Sequence, residues 1–126
     1  MTLPRPRNHT SAKKAGSSFE RSIADSFAWN LQDDRIDRRV KSGAQDKGDI
    51  GGLRTRDGCR LVVECKNTTR LDLGHWVREA GVEAENDNAI AGIVVHKRRG
   101  KADPLEQYVT MTLRDLLLIG WGVTRA

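Results

Sequence analysis

The chain has 126 residues, 37% of them hydrophobic, 31% charged and 5% aromatic, with a net charge of +5. That length fits a single domain, because about 100 to 150 residues build a self-sufficient core, and the composition is that of a soluble globular protein. No apolar run approaches the roughly 18 residues of a membrane span, the longest being Leu116–Ile119. No apolar signal core follows the basic N-terminus, so the expected location is the cytoplasm, a host's cytoplasm for a viral protein. Cys59 and Cys65 form no CxxC and lack a matching His pair, which argues against a disulfide framework and a zinc site.

Residues 1–15, with Pro4, Pro6 and few apolar groups, read as a flexible basic arm. Arg5, Arg7, Lys13 and Lys14 carry +4 of the +5 there. A single domain is expected over 16–126. Ser17-Ser-Phe-Glu20 fits a capping box, and Phe19, Ile23, Ala24, Phe27, Ala28 and Leu31 recur at helical spacing. The charged segment Arg35 to Lys41 reads as extended chain near a sheet edge, followed by a polar loop from Ser42 to Gly48. Residues 49–66 read as a hairpin turning at Asp57-Gly58. Leu73, Trp76, Val77, Ala80 and Ala84 then mark a second helix that ends near Asn86-Asp87-Asn88. The run Ala89 to Val95 suits a central strand covered on both faces. Tyr108 to Leu113 is β-prone, and Thr112 opens a last helix closing at Gly120. The order α-β-β-β-α-β-β-α implies a mixed sheet with helices on its faces.

If Asp57-Gly58 is a two-residue type I′ loop, Asp49 opposes Lys66 and Gly51 opposes Glu64. Alternation then puts all four on one face, with Gly51 leaving a gap beside Glu64 and Cys65 pointing into the core. Two carboxylates and a lysine without a histidine pair suit a hard cation, Mg²⁺ or Mn²⁺, bound with phosphate oxygens for phosphodiester hydrolysis. The competing reading is a cross-strand Asp49–Lys66 ion pair with Glu64 solvated. Against that reading stands the buried context of Leu61-Val-Val63, where unpaired charge is costly. Glu79 and Glu83 read as a solvated helix face, His75 and His96 as non-catalytic, and Trp29, Trp76 and Trp121 as core or dimer contacts.

Gly48-Asp49 and Glu64-Cys65-Lys66, on that hairpin and between those helices, resemble the motif of the PD-(D/E)xK nuclease superfamily, with Gly48 in place of the usual proline. The resemblance covers about residues 16 to 113 and is closest to archaeal-type and bacteriophage Holliday junction resolvases, whose Gly-x-x-x-Glu-Arg element is similar to Gly16-Ser-Ser-Phe-Glu-Arg21. It implies a restriction-endonuclease-like αβββαβ core. It also implies a homodimeric, Mg²⁺-dependent endonuclease, with Mn²⁺ able to substitute, that cuts branched four-way DNA junctions in recombination and repair. Asp49, Glu64 and Glu20 would hold metal and Lys66 would serve the water or the transition state; Glu20 is equally readable as the capping-box residue. Arg38, Arg39, Lys41, Ser42, Lys47, Lys97, Arg98, Arg99 and Lys101 are the DNA-contact candidates. The alternatives are another nuclease of the superfamily, of nicking, repair or restriction type, and a catalytically silent DNA-binding module; a metal-free scaffold is a third.

Overall fold

The computed structural model describes residues 9–40 and 43–123. The chain is mixed α/β, in the order α1 (His9–Leu31), β1 (Asp37–Arg38), β2 (Ile50–Gly51), β3 (Leu61–Lys66), α2 (Leu73–Asn86), β4 (Ala91–His96), β5 (Tyr108–Thr110) and α3 (Leu113–Trp121). A short 3-10 turn at Pro104–Glu106 precedes β5. The strands form one sheet in the order β1-β2-β3-β4-β5, with β3 and β4 parallel and the other pairs antiparallel. No helix among the described residues is long and apolar enough to cross a membrane.

The parallel pair is the centre, and the apolar runs of both strands explain why: each is covered on two faces. Leu61, Val63 and Cys65 of β3, with Ala91, Ile93 and Val95 of β4, pack with Phe19, Ile23 and Ala24 of α1, and Met111 and Ile119 lie against the same cluster. On the other face Val94 meets Trp76 and Ala80 of α2. Val62, Val63, Val94 and Ile50 are wholly buried, each contributing about 2 kcal/mol of transfer free energy.

Two boundaries differ from the sequence expectation. Helix α1 begins at His9, inside the segment read as an arm. Ala12-Lys-Lys-Ala15 are strong helix formers that carry the helix through Ser17, so Ser17 caps nothing. At the other end, Thr112 does cap α3, its side chain accepting from the Asp115 N–H, but the helix runs on to a left-handed Gly122 rather than stopping at Gly120. Trp76 is core, whereas Trp29 and Trp121 are 76% and 69% exposed.

The hairpin departs most. Thr55 N–H donates to the Cys59 carbonyl and Gly58 N–H to the Thr55 carbonyl, so the loop has three residues, with Gly58 at φ +85°. This is a type I turn plus a left-handed glycine, not the type I′ turn that needs positive φ at Asp57 as well. A second offset follows at Gly52, φ +88°: Arg54 bridges Arg60, but Ile50 pairs with Val63. One extra residue has entered the β2 side, as in a β-bulge. A Cβ at Gly52 would lie 2.4 Å from the Arg35 carbonyl oxygen, so β1 also needs glycine there.

Helix α2 sits very close to the sheet. A Cβ on Gly92 would stand 2.2 Å from the Ala80 carbonyl oxygen, whereas one on Gly81 would meet nothing within 4 Å. Gly92→Ala is therefore expected to destabilise the protein by about 3 kcal/mol through overpacking. Gly81→Ala, in the same helix, should stabilise it by about 0.5–1 kcal/mol. Urea midpoints measure both, and equal midpoints for the two variants would contradict the packing.

Candidate metal and catalytic centre

The two hairpin offsets add to two residues, an even number, so the alternation of faces survives. Extending the Ile50–Val63 pairing by one step carries Asp49 away from Lys66 and towards Glu64. Asp49 is buried, its N–H donates to the Val63 carbonyl, and its Oδ2 accepts from Cys65 N–H at 2.8 Å. The side chain thus replaces a ladder bond, which anchors the carboxylate beside β3.

The gap expected over Gly51 does not exist as open space. A Cβ there would be 3.2 Å from an Arg39 guanidinium nitrogen. The space around Glu64 is instead bounded by acids. Glu64 is 5% exposed and Glu83 of α2 is 2% exposed. Ligand oxygens of Asp46, Glu64 and Glu83 lie within 4.8 Å of one another. Glu83, read from sequence as solvated, faces the sheet because it lies seven residues after Trp76 on the buried stripe. Asp46 comes from the polar loop; its side chain accepts from Gly48 N–H and its carbonyl accepts from Asn86 at the end of α2. Gly48 adopts φ +92°, and a Cβ there would be 2.7 Å from Val62 Cγ1. Proline, with φ fixed near −65°, is excluded from that position.

Lys66 Nζ lies 2.6 Å from a Glu79 oxygen and 3.9 Å from a Glu64 oxygen. Glu79 is thus a partner of Lys66 rather than a free surface acid. Burial lowers the lysine's pKa, but the Glu79 contact and the Glu64 and Asp49 charges outweigh it, and the net shift is upward. Lys66 is held as an ammonium. The Cys65 thiol is pushed up by burial, consistent with an inert core residue.

Glu20 stands outside this group: its Oε2 accepts from Nε and Nη2 of Arg38 at 3.1 and 2.9 Å. The structure gives it neither the capping-box role nor a place among the clustered ligand atoms, because the helix passes through Ser17 and Arg38 on β1 reaches it first. Of the DNA-contact candidates, Arg38 is occupied by Glu20, and Arg39 by Asp87 at 3.3 Å. Lys97 Nζ is bonded to the carbonyls of Arg98 and Lys101. Arg98 is paired with Glu106 and stacked on Tyr108. Lys47, Arg99 and Lys101 are exposed, and Lys41 and Ser42 lie outside the described residues.

Glu64 Oε2 and both Glu83 oxygens are buried with no hydrogen-bond donor among the described residues. Burial first, then Glu83 and Asp49, raise the Glu64 pKa far above the carboxylate range. Burial and the charges of Asp46, Glu79 and Asp49 push Glu83 up to about 7. Such a set is stable only if it shares protons or binds a cation. Oxygen-only donors at this spacing fit a hard divalent ion such as Mg²⁺ or Mn²⁺. The chain matches no protein-family model, no curated protein and no solved structure.

The raised Glu83 gives a pH prediction for protein without divalent ions. The folded state keeps a proton that the unfolded chain releases near 4.5. The contribution of Glu83 to stability is therefore complete below about pH 4.5 and is lost as pH rises through about 7. Thermal melts in EDTA should show this loss, Glu83→Gln should flatten it, and Mn²⁺ should restore wild-type stability at pH 8 by binding the native state. An identical pH profile for Glu83→Gln would contradict the cluster.

Proposed function

We propose that the protein is a divalent-metal-dependent endonuclease with a restriction-endonuclease-like core, acting on branched DNA as a homodimer. One observation carries the reading: Glu64 Oε2 and the Glu83 oxygens are buried with no donor among the described residues, at the sheet face that carries Lys66 and Asp49 and is covered by α2. The succession α1-β1-β2-β3-α2-β4 supports it, being the order of elements that the PD-(D/E)xK resemblance implies. The preference for four-way junctions rests on the Gly16 to Arg21 and hairpin motifs.

In this reading Glu64, Glu83 and Asp46 would hold the ion, with Asp49 bordering it. A divalent ion supplies charge stabilisation at the scissile phosphate. Lys66, kept protonated by Glu79 and Glu64, acts as a hydrogen-bond donor to a phosphate oxygen rather than as a base. Glu79 orients it. Cys65 N–H fixes Asp49, and Gly48 lets the loop bearing Asp46 turn against Val62. The set departs from the resolvase pattern in one respect: the acid added to the hairpin pair comes from the crossover helix, as Glu83, while Glu20 of α1 pairs with Arg38.

Cleavage of four-way junction, flap and linear DNA, in Mg²⁺ or EDTA, tests the proposal. Junction cutting in Mg²⁺ alone is expected, with Asp49→Asn and Glu64→Gln each lowering the rate about 100-fold or more. Lys66→Ala should cost about 10²- to 10³-fold. Undiminished cutting by Asp49→Asn would overturn the site, and equal rates on junction and linear DNA would remove the junction preference. DNA binding without any cleavage would favour a silent binding module.

A further inference from the structure

The three-residue loop brings Arg54 directly opposite Arg60, in an isolated bridge just beyond the ends of β2 and β3. Like charges in that position repel and cost stability, yet both side chains are exposed and fixed. Arg54 Nη1 donates to the Gly58 carbonyl at 2.9 Å and Arg60 Nη1 to the Asp87 carbonyl at 3.1 Å. They line a polar depression of about 340 Å³ together with Lys47, Arg39 and Asp87. Asp87 is 6% exposed and serves as a counterion at the back, 3.3 Å from Arg39 and 3.7 Å from Arg60. Four cations face one carboxylate, so the depression carries an excess of three positive charges.

We infer that this depression is a binding site for the phosphodiester backbone of a nucleic-acid duplex, with Arg54 and Arg60 as its two phosphate donors. Guanidinium forks match phosphate oxygens, and each arginine spends one nitrogen on a carbonyl that aims it. None of the described residues lining the depression is aromatic, so the contact is with the backbone and is indifferent to base sequence. Arg60 lies just before β3, four residues from Glu64 and on the same side of the chain, which at a rise of about 3.3 Å per residue places the phosphate about 13 Å from the carboxylates. At an axial rise of about 3.4 Å per nucleotide, a duplex whose axis runs along β3 would put about four base-pair steps between that phosphate and the one at the metal centre. The inference rests on the nuclease reading only for that spacing; binding itself is independent of cleavage.

Fluorescence anisotropy with labelled duplex and junction DNA in EDTA, where no cutting competes, tests the site. Arg54→Glu is expected to weaken binding about 10-fold at low salt, and the slope of log Kd against log salt should fall by about 1 to 2 for Arg54→Ala/Arg60→Ala. Arg54→Glu replaces a like-charged cross-strand pair with an opposite one, so its melting temperature should be unchanged or raised, which separates lost binding from lost folding. Unchanged affinity and salt slope in the variants would overturn the site. If Asp49→Asn cuts DNA normally in Mg²⁺ while Arg54→Glu still binds weakly in EDTA, the catalytic assignment fails and the phosphate site stands.

Discussion

At Gly92 the backbone of β4 comes so near the Ala80 carbonyl that a methyl group would lie 2.2 Å from it. This close seating of α2 on the parallel strands is the constraint on which the centre depends. It brings Glu79 over Lys66 and Glu83 over Glu64, turning two charges on a strand into a buried group of acids with one lysine. A larger residue at Gly92 would lift the helix and let water reach carboxylates whose properties come from its exclusion.

The hairpin makes a second requirement. Its three-residue loop and the bulge at Gly52 each shift the pairing by one residue, and either alone would turn Asp49 to the wrong face. Together they keep the face and change the neighbour, so that Asp49 meets Glu64 and caps Cys65 N–H. The three-residue loop by itself sets Arg54 against Arg60. The loop therefore shapes both the basic depression and the carboxylate group, and the bulge completes the second.

Electrostatics ties these parts together. Glu64 and Glu83 are held out of water with oxygens that no donor among the described residues satisfies, a state that a shared proton or a hard cation relieves. Around them the positive groups are already assigned: Arg38 to Glu20, Arg39 to Asp87 and Lys66 to Glu79. Of these, Lys66 is the cation that reaches the acids directly. Arg54, Arg60 and Lys47 stay exposed along the depression beside the hairpin.

The succession of elements, the two-faced burial of β3 and β4, and the shared face of Glu64 and Lys66 were legible in the sequence. These follow from periodicities of 2 and 3.6 residues, which are properties of local chain geometry. Glu83 was also legible, seven residues beyond Trp76 on the buried stripe, but its charge argued for solvent when nothing nearby in sequence explained its burial. The tertiary structure was needed to place Asp49 opposite Glu64, to join Asp46 and Glu83 to Glu64, to send Glu20 to Arg38 and to set Arg54 against Arg60. Each of these depends on how closely a helix sits on a sheet or how many residues a loop or a bulge inserts. Those quantities are fixed by contacts between distant segments, because a carboxylate is tolerated in the interior only once its distant partners have arrived.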